Sequence, residues 1–146
     1  MKKGIVKDLN CYLANTGVLF VKLHNLHWNV VGKQFKGTHE YLETLYDGFA
    51  EVLDEVAELL VMHGETPKAS MKEYLEVATI TEIDSVEVSV DKALKTVAKD
   101  IEVMQKLAES IRKKASEEDL YDIVAALEGH LGQYSKTLWF LKAMSK

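Results

Sequence analysis

Apolar residues recur at steps of three and four positions over four long stretches of the chain, at about residues 5–31, 37–64, 85–111 and 117–144. That spacing puts the apolar side chains on one face of an α-helix. The chain also holds few residues that interrupt helices, with one proline and eight glycines in 146 residues. The pattern therefore predicts four long amphipathic helices.

The second of these helices has recognisable end signals. Thr38 is a candidate N-cap, and Gly64 suits the position after the C-cap, where left-handed backbone is common. About twenty residues, 65–84, then separate the second helix from the third and include Pro67. Because a structureless connection of that length is uncommon in a compact domain, we predict a crossover that carries a short extra helix.

Two helices, a long crossover and two further helices are the order of a four-helix bundle with one long connection. The length suits one core, so we predict a single all-α domain over residues 1–146. Trp139 is expected in that core. The single cysteine, Cys11, excludes an internal disulfide framework, and no signal peptide or membrane-spanning stretch is evident. We therefore expect a cytoplasmic protein.

The formal net charge is −5, which disfavours a general nucleic-acid surface because phosphate binding needs Lys and Arg. An acidic surface is compatible with attracting cations. Lysines near the chain ends are few: Lys2, Lys3, Lys7, Lys142 and Lys146. We expect DNA binding to be weak or absent at physiological salt, although many copies in one assembly would add multivalency.

A stripe of metal-ligand residue types follows one side of the second predicted helix. With His39 at 0°, Glu43 lies at about 40°, Asp54 at about 60° and Glu58 at about 100°. The pairs His39/Glu43 and Asp54/Glu58 each have the i,i+4 spacing that lets two side chains converge. Acids on a solvated helix face are the alternative reading of the same pattern.

Distance divides this stripe into two halves. His39 and Asp54 are separated by 15 residues, or roughly 22 Å of helix, whereas metal–ligand bonds are about 2.0–2.2 Å. One ion can contact both halves only if two copies of the helix pack antiparallel about a twofold axis. The sequence therefore predicts two equal sites in a symmetric dimer.

His27 joins this constellation, since an antiparallel pair of the first two helices brings it towards His39. Imidazoles with carboxylates suit Fe(II), Mn(II) or Zn(II), and the residue types leave open which metal is bound. None of the five histidines follows a carboxylate by three residues, which disfavours an inward-facing di-iron site within one chain. His130 has no ligand-like partner in the sequence.

These residues resemble the signature of the Dps family (DNA-binding protein from starved cells), which belongs to the ferritin-like class. The resemblance is strongest from His24 to Pro67 and covers essentially the whole chain. It is carried by the His27-Trp28-Asn29 triplet, His39-Glu40, Leu45-Tyr46-Asp47, Asp54-Glu55-Val56-Ala57-Glu58, Gly64-Glu65-Thr66-Pro67 and Leu138-Trp139-Phe140.

The resemblance implies a ferritin-like four-helix bundle and a hollow dodecamer in which Fe(II) is oxidised, preferably by hydrogen peroxide, and ferric mineral is stored. This chemistry would protect the cell from oxidative damage. The resemblance implies ferroxidase sites between subunits, with His27, His39 and Glu43 from one subunit and Asp54 and Glu58 from its neighbour. Glu43 stands where many relatives carry Asp.

Trp28 would be an electron donor beside the site, although an indole that packs in an interface is the alternative. The acids Glu117, Glu118, Asp119 and Asp122 either line an iron-entry pore or form a solvated helix start. Two other functions stay open on the sequence: a cage that binds divalent metals without redox chemistry, and a structural cage that shields DNA.

Overall fold

A computed structural model describes all residues, 1–146, and the chain is mostly helical. The elements are α1 (Lys3–Asn29), β1 (Val30–Val31), α2 (Phe35–Met62), α3 (Met71–Val77), β2 (Val88–Ser89), α4 (Val90–Glu117) and α5 (Tyr121–Met144). Helix α1 packs along α2 and also contacts α4, α4 packs along α5, and α3 lies against α1. The predicted four-helix bundle with a long crossover and a short extra helix is confirmed.

The core is a continuous cluster of 28 buried hydrophobic residues drawn from the long helices and the crossover. Burial of such side chains contributes about 1.5–3 kcal/mol each and is the main force that closes the bundle. Trp139 was expected in this core, and that expectation is wrong. Its side chain lies on the outer face of α5 and is 65% exposed. No helix combines the length and apolar character needed to cross a membrane.

The predicted start of the second helix is also wrong by a few residues. Helix α2 begins at Phe35, after Gln34 in the left-handed region at φ 67°, without a side-chain cap. Thr38 lies inside the first turn, where its buried hydroxyl has no hydrogen-bond partner. At the other end Gly64 has φ 79°, and Glu65 N–H donates to Leu60 O at 2.9 Å, so the predicted glycine termination is confirmed.

Two buried asparagines of α1 fasten the crossover to the bundle. The Asn15 carboxamide oxygen accepts from the backbone N–H groups of Thr79 and Ile80, at 2.7 and 3.1 Å. Asn10 accepts from the backbone N–H of Lys68 at 2.9 Å. These side chains satisfy backbone groups that would otherwise be left unpaired on folding.

A two-residue parallel pairing, which no sequence pattern predicted, ties the end of α1 to the start of α4. Val30 pairs with Val88, and Val31 pairs with Ser89. Ser89 then caps α4, because its hydroxyl accepts from Lys92 N–H at 3.2 Å. The pairing holds the α1–α2 turn, and with it the histidine end of the bundle, against α4.

Candidate metal centre

The turn between α1 and α2 brings His27 and His39 into direct contact. Gly32 at φ 114° and Gln34 at φ 67° reverse the chain within a few residues, so the end of α1 lies beside the start of α2. The two imidazole rings stack with centroids 3.6 Å apart and planes within 13°. The sequence expectation that an antiparallel helix pair joins these histidines is met by this geometry.

Each histidine is oriented by the backbone of the other. His27 Nδ1 lies 2.6 Å from His39 O, and His39 Nδ1 lies 2.7 Å from His27 O. A carbonyl oxygen only accepts, so Nδ1 of each ring carries the proton and donates it. In the neutral imidazoles both Nε2 atoms therefore keep a free lone pair. This is the arrangement that metal-ligating histidines adopt, with the second nitrogen bound to a carbonyl or carboxylate.

Glu43 lies one turn further along α2 than His39 and approaches His27. Its Oε1 is 3.9 Å from His27 Nε2, and its side chain is 55% exposed. The hydroxyl of Tyr46 donates to Glu43 Oε1 at 3.4 Å. Partial desolvation and the carboxylates of Glu43 and Asp47 raise the pKa of Tyr46, which keeps its phenol protonated as a donor. The sequence assigned His27, His39 and Glu43 to one half-site, and we keep that name for this group of side chains.

Aromatic side chains surround this half-site. The ring of His24 stacks on Tyr46 at 3.7 Å, and Phe35 contacts His39 at 5.1 Å between centroids. Trp28 lies 5.4 Å from the His24 ring and is 70% exposed. An indole so exposed on a folded subunit suits either role considered for it, an electron donor or an interface contact.

Asp54 and Glu58 are exposed residues of α2. They share the helix with His39, so their backbones are roughly 22 Å and 28 Å from it. Within one chain, no three His, Cys, Asp or Glu side chains come close enough to hold an ion. The subunit therefore presents the two halves of the stripe separately.

A second cluster of titratable groups, which the sequence did not reveal, lies inside the bundle. His130 Nε2 is 2.5 Å from Glu55 Oε1, and His130 Nδ1 is 3.0 Å from the Tyr12 hydroxyl. Tyr12 also forms a hydrogen bond with Tyr134. Burial raises the pKa of both phenols. The partners come from three different helices, so no local spacing could have indicated them.

The four candidate pore acids do not lie together at one helix start. Glu117 ends α4 and Glu118 caps it, while Asp122 alone lies in the first turn of α5. The Asp122 carboxylate is 2.9 Å from His63 Nε2. Glu118 accepts from the backbone N–H of Lys2 at 3.2 Å. The interpretation of all four acids as one solvated helix start is therefore wrong.

Comparison with known proteins defines the class of this fold. A family model described as a ferritin-like domain matches residues 6–146. The chain is 36% identical to DNA protection during starvation protein 2 of Bacillus anthracis, over 98% of this chain and 97% of the relative.

Solved structures agree with this assignment. A Dps protein from Bacillus brevis superposes with a TM-score of 0.93 at 33% identity, with all of both chains covered. A Dps protein from Vibrio cholerae O1, described as a member of a broad superfamily of ferritin-like diiron-carboxylate proteins, gives 0.92 at 26% identity over 99% and 90% of the two chains. The class is thus ferritin-like. Within it, this chain belongs to the Dps family.

Proposed function

We propose that this chain oxidises Fe(II) at sites shared between two subunits and stores the ferric product inside a hollow homo-oligomer, a dodecamer, with hydrogen peroxide as the preferred oxidant. The observation that carries the proposal is the reciprocal bonding of His27 and His39. It leaves a lone pair on the Nε2 atom of each ring, and the Glu43 carboxylate lies 3.9 Å from His27 Nε2. Imidazole and carboxylate donors of this kind suit a first-row divalent cation.

The neighbouring subunit would supply Asp54 and Glu58. An antiparallel pairing of two α2 helices about a point near Asp47 to Ala50 would put the acids of one chain against the histidines of the other. Iron is the substrate, and the protein residues would hold Fe(II), orient it and leave coordination positions for water and oxidant. Trp28, next to His27 in the chain, would supply an electron to the reacting centre.

Mixed assembly tests the shared site directly. We expect His39→Ala and Asp54→Ala to abolish rapid Fe(II) oxidation when each variant is assembled alone. In a dimer that contains one subunit of each kind, one site lacks both ligands and the other is intact. Random mixing should therefore restore about a quarter of the wild-type sites. Anaerobic Fe(II) titration followed by peroxide addition would measure both the site count and the rate.

The controls are Glu40→Ala, which removes a solvent-exposed acid beside His39, and the double variant His39→Ala/Asp54→Ala mixed with wild type. The first should leave oxidation unchanged. The second should lower the number of sites without any gain from mixing. Recovery of no activity in the two-variant mixture, with correct assembly by size measurement, would refute a site built from two subunits.

A structural role in DNA shielding is the second candidate, because the Bacillus anthracis relative is named for DNA protection. The net charge of −5 opposes it, since phosphate binding needs exposed cations. We expect no retardation of plasmid DNA in a gel-shift assay near physiological salt. Protection of DNA would then come from the removal of Fe(II) and peroxide, and clear retardation would favour the shielding role.

A further inference from the structure

Tyr134, Tyr12 and His130 are buried and connect through hydrogen bonds to Glu55, whose side chain is 51% exposed. We call these four residues the phenol–imidazole chain, and its hydrogen bonds have a defined direction. A carboxylate only accepts hydrogen bonds, so His130 Nε2–H donates to Glu55. In a neutral imidazole the other nitrogen then accepts, and Tyr12 O–H must donate to Nδ1. Since the Tyr12 proton is used there, the Tyr134 hydroxyl donates to the Tyr12 oxygen.

This chain is shielded from water except at one end. Tyr12 is fully buried, Tyr134 is 3% exposed and His130 is 9% exposed. Glu55, His130 and Tyr134 form part of the wall of a groove of about 480 Å³ between α2 and α5. Small oxidants that enter the groove can therefore approach the cluster, while Tyr12 does not line the groove and is separated from phenols of other molecules.

The arrangement suits loss of one electron from a phenol. Burial and the neighbouring Tyr134 raise the pKa of Tyr12 well above its ordinary value, so the easily oxidised phenolate is not populated. A neutral phenol is oxidised readily only if its proton leaves with the electron. A hydrogen-bonded imidazole in position to take that proton, with a carboxylate behind it, provides the acceptor.

We propose that Tyr12 is a buried one-electron donor whose phenolic proton passes to His130 when it is oxidised. The Tyr12 O–H bond breaks, the proton forms an N–H bond at His130 Nδ1, and the electron reduces the oxidant. The products are a neutral Tyr12 radical that accepts a hydrogen bond from Tyr134 and an imidazolium paired with Glu55. With hydroxyl radical as oxidant, the electron yields hydroxide.

The biological use of this step rests on the proposed function, because Fe(II) and peroxide together are a source of hydroxyl radical. A donor inside the bundle would consume such radicals before they damage other side chains. The chemistry itself needs no iron. It can be tested on iron-free protein, so a negative result here and a negative result for Fe(II) oxidation are separate findings.

The experiment uses the full-length iron-free protein and azide radical, generated by pulse radiolysis, as the one-electron oxidant. Azide radical accepts the electron and becomes azide. We expect a long-lived neutral tyrosyl radical in the wild type, followed by its optical absorption and by electron paramagnetic resonance. The spectrum should contain couplings to bridging protons that disappear in D2O, because the Tyr12 radical oxygen is hydrogen bonded.

Two variants separate this role from a merely structural one. Tyr12→Phe should remove the long-lived radical. His130→Gln keeps an acceptor for Tyr12 and a donor for Glu55 but cannot take a proton. It should lower the radical yield by about tenfold or more, as expected when a charge-assisted hydrogen bond is no longer formed in the product. Tyr41→Phe is the matched control, since that tyrosine lines the same groove but is not hydrogen bonded to His130, Tyr12 or Tyr134.

The proposal is overturned if Tyr12→Phe retains the wild-type radical, or if His130→Gln gives the same yield and lifetime. Loss of the radical signal in Tyr41→Phe, with the other two variants unaffected, would identify a different tyrosine as the electron donor and would also overturn the proposal. Should Tyr12→Phe fail to fold, His130→Gln and the D2O spectrum of the wild type decide the question.

Discussion

At the scale of single residues, Lys22 and Asp100 form the most enclosed ion pair of the chain. Lys22 Nζ lies 2.7 Å from an Asp100 carboxylate oxygen, with side-chain exposures of 4% and 12%. Two charges removed from water in this way are costly to separate, because each loses its hydration without a replacement. The pair joins α1 to α4 behind the histidine half-site and fixes how these helices align.

Removal of one partner should therefore cost far more than removal of both. We expect Asp100→Leu to lower the free energy of unfolding by about 3–5 kcal/mol, because it leaves the Lys22 ammonium buried and unpaired. The double variant Lys22→Met/Asp100→Leu should recover most of that loss. Denaturant unfolding of the wild type, Lys22→Met, Asp100→Leu and the double variant measures the interaction free energy between the two side chains. Equal losses in the single and double variants would contradict this account.

The same pair predicts a pH dependence of stability. Burial raises the pKa of the Asp100 carboxyl above its ordinary value, although Lys22 opposes the shift. Between the unfolded value, about 3.9, and the raised folded value, the folded state binds more protons than the unfolded state. The contribution of this group to the free energy of unfolding must then fall as pH rises through that window.

Comparison with the double variant Lys22→Met/Asp100→Leu isolates this effect, because that protein lacks the titrating carboxyl. We expect the stability of the wild type minus that of the variant to decrease as pH rises from about 4. Urea titrations at closely spaced pH values would measure the difference. A difference that grows with pH would show that the folded pKa of Asp100 is lowered instead.

At the scale of elements, the position of the crossover depends on Gly17. A Cβ atom at this residue would lie 2.7 Å from Cδ2 of the Tyr74 ring, a distance that side chains do not tolerate. Tyr74 belongs to α3, which packs on α1 through this close approach. Glycine in the middle of a helix normally costs about 1 kcal/mol relative to alanine, so this contact must offset the loss.

We expect Gly17→Ala to destabilise the protein by about 1–3 kcal/mol, because the ring or the whole of α3 must move. Thermal unfolding would measure the change. Gly132→Ala is the matched control, since it also lies inside a helix but its Cβ would meet no atom within 4 Å. That variant should be neutral or slightly more stable. A stabilised Gly17→Ala would mean that α3 does not hold α1 at this distance.

The elements also show what the sequence could predict. Four helices and the crossover followed from periodic apolar positions, because burial of one helix face dominates their stability. The start of α2 did not follow, since it depends on a left-handed Gln34 and not on a side-chain cap. The stripe from His39 to Glu58 was visible as a helical spacing, whereas the bond between His130 and Glu55 joins residues 75 positions apart.

The orientation of the two histidines lay beyond the sequence for a different reason. Their spacing indicated only that they approach each other, but the availability of Nε2 depends on which groups contact Nδ1. Those groups are the backbone carbonyls of His39 and His27. Every residue has a backbone carbonyl, so residue types do not indicate this contact. The residue types of the candidate ligands were thus predictable from the sequence, whereas the free Nε2 lone pairs were not.

At the scale of the whole molecule, the subunit exposes large apolar side chains that a monomer would bury. Both tryptophans of the chain are on the surface, Trp28 at 70% and Trp139 at 65%, and Tyr121 is 75% exposed. Tryptophan is enriched where one protein surface contacts another, so we expect these exposed indoles to lie in contacts between subunits. Trp28 lies at the α1–α2 turn and Trp139 near the end of α5, so two separate regions of the subunit are open to partner copies.

The two indoles report on assembly because the chain contains no others. We expect tryptophan emission to shift to shorter wavelength, and acrylamide quenching to weaken, when dissociated subunits assemble. Trp28→Phe and Trp139→Phe leave one reporter each, so the two regions can be followed separately. Size-exclusion chromatography of the same samples establishes which fraction is assembled.

The order of the Trp28 and Trp139 emission changes tests whether the metal centre lies at the subunit interface. If α2 pairs about a twofold axis, a dimer already encloses the Trp28 region, and Fe(II) sites should appear together with the Trp28 emission change. A Trp139 signal that changes at the same step would show that the dimer also covers the outer face of α5, whereas a change only in larger assemblies would assign that face to a further contact. If Fe(II) sites form while acrylamide still quenches Trp28 as strongly as in dissociated subunits, the metal centre does not lie at the subunit interface.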